Sequence, residues 1–130
     1  MGGVKIILVE DNPLNMELVT DLLQTAGHEV IATSKAEEGL AMARIESPDV
    51  ILMDIALIGM DGLSATRMLK EDPATASIPV IALTAHAMRG DEEKALRAGC
   101  VAYIAKPINT RTFVDIVTTY ARASKPHEEE

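Results

Sequence analysis

The chain has 130 residues, a hydrophobic fraction of 48% and a formal net charge of −8. That length and apolar content suit one globular domain with a real core and leave no room for a second. The negative balance, with Lys and Arg unclustered, sets aside nucleic acid as a direct partner, and no apolar run approaches the ~20 residues of a bilayer span.

Strand-like and helix-like runs alternate along the chain. The first predicted strand covers 4–9, where Ile6-Ile7-Leu8-Val9 runs into Glu10-Asp11. A helix over 13–26 follows, with Asn12 as N-cap, Pro13 in the first turn where its missing N–H costs nothing, and Gly27 as the stop. The second strand and helix are expected over 29–33 and 36–46. The third strand, 49–53, contains Val50-Ile51-Leu52-Met53, an apolar run without alternation that implies cover on both faces, and it delivers Asp54. After a helix over 62–71, the fourth strand, 79–84, ends in Thr84. A helix over 90–98 leads to the fifth strand, 101–105, which ends in Lys106-Pro107. Cys100, the only cysteine, stands beside Gly99 and Val101; it excludes an intramolecular disulfide and reads as a small core residue in a reducing compartment. The last helix, 110–123, carries Phe113, Ile116, Val117 and Tyr120 as one apolar stripe. Lys125-Pro126 ends it, so the expected division is a domain over 1–124 and a short acidic tail over 125–130, with no output domain. No signal-peptide pattern is seen and Ile6 stands where a myristoylation site wants Ser or Thr; the expected location is cytoplasmic, without membrane insertion.

This alternation predicts an α/β fold: a doubly wound, five-stranded parallel sheet flanked by five helices. With strand order 2-1-3-4-5, ligands bind beyond the carboxyl ends of strands one and three, where the order reverses. Glu10, Asp11 and Asp54 end those two strands. Two like charges 4 Å apart repel by about 4 kcal/mol at an effective dielectric near 20, so three carboxylates there call for a cation. Mg²⁺ suits them, since it takes one or two carboxylates and keeps sites for phosphate oxygens; zinc would want His or Cys, and His28, His86 and His127 are scattered. Beside such an ion Asp54 becomes a nucleophile toward phosphorus, while Lys106 neutralises a phosphoryl oxygen and Thr84 donates a hydroxyl hydrogen bond to another. Taken singly, each of these residues has an ordinary structural alternative: a helix cap for Glu10 or Asp11, a strand-end hydroxyl for Thr84, a surface amine for Lys106.

The motifs Leu8-Val9-Glu10-Asp11-Asn12, Ile51-Leu52-Met53-Asp54, Met60-Asp61-Gly62, Ala82-Leu83-Thr84-Ala85 and Tyr103-Ile104-Ala105-Lys106-Pro107 resemble, in this order and over nearly the whole chain, the receiver domain of two-component response regulators, the CheY-like family. More narrowly, Glu10-Asp11-Asn12-Pro13-Leu14-Asn15 and the segment Ala85 to Glu92 are similar to single-domain DivK-type regulators; receivers of hybrid kinases and diguanylate cyclases share these words. The resemblance implies Asp54 as phosphoacceptor, Asp11 as a direct and Glu10 as a water-mediated Mg²⁺ ligand, and the Ala56 carbonyl as a further ligand. It implies Thr84 and Tyr103 as a coupled switch. The implied partners are a histidine kinase or histidine phosphotransfer protein as donor and a downstream protein as target. Ile58 replaces a proline that many receivers carry, and Ala56 and His86 would flank the path of hydrolytic water, implying slow loss of the phosphoryl group. The alternative is a small aspartate-nucleophile phosphatase of the haloacid dehalogenase type, which wants a second Asp where this chain has Ala56; a flavodoxin-like carrier is disfavoured because Glu10-Asp11 would repel a flavin phosphate.

Overall fold

The apolar runs over 6–9, 50–53 and 80–83 become strands buried on both sides. The computed structural model of the chain describes residues 3–55, 61–84 and 91–123. Its elements, in order, are β1 (Lys5–Val9), α1 (Pro13–Thr25), β2 (Glu29–Thr33), α2 (Ala36–Glu46), β3 (Val50–Asp54), α3 (Gly62–Glu71), β4 (Val80–Thr84), α4 (Asp91–Ala98), β5 (Ala102–Ala105) and α5 (Phe113–Ala123). All strand pairs are parallel, in the order β2-β1-β3-β4-β5. β1 therefore has β2 on one side and β3 on the other, which places the topological switch point at the carboxyl ends of β1 and β3.

Alternate side chains of each strand enter two separate cores. Ile7, Val9, Ile51, Met53, Val80 and Ala82 face one way and are covered by α2, α3 and α4 through Ala36, Ala43, Ala65, Leu69 and Ala95, with Cys100 buried among them. Ile6, Leu8, Val50, Leu52, Ile81 and Leu83 face the other way, under α1 and α5, through Val19, Leu23, Phe113, Val117 and Ala121. Period-two alternation is thus present in space although the central runs over 6–9, 50–53 and 80–83 are apolar throughout, because both faces are covered.

Local chemistry sets the element ends. The Asn12 side chain accepts the amides of Leu14 and Asn15 at 3.0 and 3.1 Å, and Gly27 adopts φ +95° beyond α1. Asp61 caps α3 by accepting Ser64 N–H at 2.8 Å. Several strand and helix ends move by one residue from expectation, and the start of α5 moves by three. Asp54 is the last residue of β3 itself, because its strand continues in register against Leu83. α5 begins at Phe113 instead of 110, since the Asn109 carbonyl accepts both Thr112 and Phe113 amides and its side chain accepts Arg111 N–H, making a separate turn ahead of the helix. Its buried stripe correspondingly runs through Phe113, Val117, Thr118 and Ala121. Among the described residues no helix is long and apolar enough to cross a membrane.

Candidate functional site at the carboxyl edge of the sheet

Five of the residues singled out in the sequence meet at one edge. Glu10 follows β1 and is fully buried, Asp54 and Thr84 end β3 and β4 and are each 3% exposed, and Asp11 is half-buried. Carboxylate oxygens of Glu10, Asp11 and Asp54 all lie within 4.8 Å of one another. Lys106 reaches in from beyond β5: its Nζ is 3.1 Å from Asp54 Oδ2, to which it donates a hydrogen bond, and 2.8 Å from Glu10 Oε1 in an ion-pair contact.

Backbone bonds hold these groups in place. The Glu10 amide donates to the Thr33 carbonyl at 3.0 Å, tying the end of β1 to the end of β2. Glu10 Oε2 accepts the Asn12 amide at 3.1 Å, so the same carboxylate faces the start of α1. The Lys106 amide donates to the Thr84 carbonyl at 2.7 Å, which sets where the lysine stem leaves the sheet; the Lys106–Pro107 peptide is cis. Tyr103, on β5, is half-buried against the core cluster beneath α2, α3 and α4.

Electrostatics follow from burial. Desolvation raises the Glu10 carboxyl above its ordinary value, Lys106 works against this, and Asp54 adds to it. For Lys106 burial alone would depress the ammonium, but its bonds to Glu10 and Asp54 outweigh burial and raise it. Glu10 and Asp54 therefore share the Lys106 ammonium. Glu10 Oε1 is buried, and the contact given for it is the Lys106 ammonium 2.8 Å away. The spacing of the three carboxylates, all offering oxygen, suits an oxygen-loving divalent ion such as Mg²⁺.

Sequence reasoning overlooked three contributors: the Asn12 amide on Glu10, the Thr33 carbonyl behind it, and Gly62, whose backbone lies against Asp54. In the sequence Asn12 and Gly62 stand in the motifs Leu8-Val9-Glu10-Asp11-Asn12 and Met60-Asp61-Gly62 and at helix starts, with no role at the site assigned to either. Ala56, Ile58 and His86 lie outside the described residues.

An acidic pocket at the switch point of a flavodoxin-like parallel sheet defines the class of protein. The comparisons narrow it. Residues 6–118 match the family model of the response regulator receiver domain. The polar-differentiation response regulator DivK of Brucella ovis is 48% identical over 115 residues, covering 88% of this chain and 94% of that protein. The receiver domain of a sensor histidine kinase from Pseudomonas aeruginosa PAO1, solved with a magnesium ion coordinated in its active-site cleft, superposes with TM-score 0.85 at 36% identity, covering 93% of this chain and 99% of that one. A response regulator structure from Chloroflexus aurantiacus reaches TM-score 0.88 at 27% identity, with 92% and 98% covered. The chain belongs to the response regulator receiver domain family and is a CheY-like response regulator of two-component signalling. That membership decides against the dehalogenase-type phosphatase alternative.

Proposed function

We propose that this receiver is a phosphorylation-controlled switch whose phosphoacceptor is Asp54. The observation that carries the proposal is the meeting of Glu10, Asp11 and Asp54 oxygens within 4.8 Å, with the Lys106 ammonium on two of them. Glu10, Asp11 and Asp54 would hold Mg²⁺, together with the Ala56 carbonyl. Bound there, the ion would neutralise the acids and offset the repulsion between an anionic nucleophile and an anionic donor.

The chain's own groups divide the remaining work. Asp54 presents a carboxylate oxygen to phosphorus from the rigid end of a central strand. Lys106, already at ion-pair distance, neutralises charge on the phosphoryl group, and the Thr84 hydroxyl donates to another phosphoryl oxygen. Drawing Thr84 toward that oxygen opens space for the Tyr103 ring to turn inward, which carries the signal to the surface of α4, β5 and α5. The donor is a histidine kinase or histidine phosphotransfer protein, the target a downstream protein. The chain catalyses only its own phosphorylation and dephosphorylation and works in the cytoplasm. Support for a DivK-like role comes from the Brucella relatives, named as polar-differentiation response regulators.

Intact-mass analysis after exposure to acetyl phosphate tests this reading. One phosphoryl mass is expected on the wild type with Mg²⁺, none after chelation and none on Asp54→Asn. Equal incorporation in Asp54→Asn would place the nucleophile elsewhere.

A further inference from the structure

We infer that Gly62 is a positioning residue for the phosphoacceptor: the first residue of α3 must lack a side chain for Asp54 to keep its place at the sheet edge. The inference rests on Asp54 as the reacting group and concerns what fixes its backbone. A Cβ at Gly62 would lie 2.4 Å from the Asp54 carbonyl oxygen, 2.7 Å from Ile55 Cα and 3.0 Å from the Asp54 carbonyl carbon. All three are main-chain atoms, so no flexible side chain is there to yield. At Gly39 and Gly99 the nearest atoms are side chains, of Val9 and Lys70. Gly3 also presses on backbone, the Gly27 carbonyl, but far from the acidic pocket.

The peptide that Gly62 touches is held from its other side. The Ile55 amide donates to the Leu83 carbonyl at 3.0 Å, extending the β3–β4 ladder one step beyond the Asp54–Leu83 pair. Helix α3 is fixed as well. Asp61 caps it on the Ser64 amide, the Thr66 hydroxyl donates to the Gly62 carbonyl at 2.8 Å, and Ala65 and Leu69 are buried against the sheet. The Asp54–Ile55 peptide is therefore clamped between β4 and α3 in a space that admits a hydrogen and not a methyl.

Gly62 does not adopt a positive φ, and alanine is the best helix former, so the cost of alanine at this position is contact and not torsion. Moving the Cβ from 2.4 Å to the 3.0 Å that real contacts observe requires a shift of about 0.6 Å. With the Ile55 amide pinned to β4, the peptide tilts and takes the Asp54 Cα with it. Since a 1 Å misplacement costs up to ~10²-fold in rate, a shift of this size predicts a loss of roughly tenfold.

The experiment compares wild type, Gly62→Ala, Asp54→Asn and Leu23→Ala, a core truncation at the far end of α1. Each is followed by thermal melting, by amide chemical shifts without phosphodonor, and by the rate of phosphoryl incorporation from acetyl phosphate per folded molecule. Gly62→Ala is expected to fold, to incorporate about tenfold more slowly, and to shift amides chiefly at Asp54, Ile55 and Leu83. Leu23→Ala is expected to melt lower while keeping the wild-type rate, which separates positioning from general destabilisation. A Gly62→Ala rate within about twofold of wild type, or shifts centred elsewhere, overturns the inference. So does a variant that stays unfolded in the cold with a stabilising osmolyte, because Gly62 would then be a requirement of the whole fold and not of the site. If the wild type takes up no phosphoryl group on Asp54, the phosphoacceptor assignment fails by itself, and the amide shifts still decide whether Gly62 sets the Asp54 backbone.

Discussion

Replacing Lys106 with methionine keeps the apolar stem and removes the one ammonium shared by Glu10 and Asp54. At separations of 2.8 and 3.1 Å the gross attractions are about 5.9 and 5.4 kcal/mol at an effective dielectric near 20. Most of this is offset in the wild type by the cost of burying the ammonium and both carboxylates. The variant's loss has a ceiling, because Glu10, already displaced upward by burial, takes up a proton once its stranded charge costs more than protonation. For a glutamate of ordinary value ~4.3, that ceiling is about 3.7 kcal/mol near pH 7 and about 1 kcal/mol near pH 5. The expected destabilisation of the metal-free protein is therefore about 3 kcal/mol near pH 7, or roughly 10 °C in Tm for a domain of this size, shrinking to less than about 1 kcal/mol near pH 5. Urea unfolding in EDTA at both pH values measures it, and millimolar Mg²⁺ should restore part of the loss near pH 7. An equal loss at both pH values would refute the reasoning, since the acids would then not be what Lys106 compensates. No loss at either would show the ion pair to be energetically idle.

Two further outcomes concern Thr84 and His28. Thr84→Ala should still accept a phosphoryl group on Asp54 but lose most of the phosphorylation-dependent amide shifts around Tyr103, because a few charge-assisted bonds at roughly 1.5–3 kcal/mol each supply the bias between states; full wild-type shifts in that variant would break the proposed coupling. His28 accepts the Val4 amide on Nδ1 at 3.0 Å, and burial, followed by the charge of Arg122, lowers its imidazole below the ordinary 6.5. The neutral ring is the folded form, so its contribution is complete above the unfolded value near 6.5 and is lost as pH falls toward the lower folded value. Tm of the wild type should drop more steeply than that of His28→Asn, which keeps an acceptor without titrating, and parallel curves would refute the assignment.

The sequence made the acidic site legible for a physical reason. Parallel strands share a carboxyl edge, so a chemical group written at the end of one apolar run is placed beside the group at the end of the next. Val50 to Met53 could be read as a buried strand because no polar residue interrupts it, and Asp54 stood out because a carboxylate there needs a partner. The same logic brought in Glu10, Thr84 and Lys106. What was not legible depends on contacts between elements that a linear pattern does not encode. The Asn109 turn that delays α5, the Asn12 amide on Glu10 and the imidazole of His28 against Val4 each depend on where a neighbouring segment arrives.

Gly62 differs from all of these. In the sequence it closes the motif Met60-Asp61-Gly62 at the start of a helix, where helix propensity by itself would accept alanine. Only the position of α3 against β3, with a carbonyl oxygen 2.4 Å from where a Cβ would stand, turns the missing side chain into a requirement. Catalytic groups announce themselves by chemistry, so composition and spacing find them. A space that must stay empty is written in the sequence as a glycine, and the clearance between two backbones shows why. The edge thus carries both kinds of information: the acids and lysine gathered there, and the hydrogen at Gly62 where a Cβ would stand 2.4 Å from the Asp54 carbonyl oxygen.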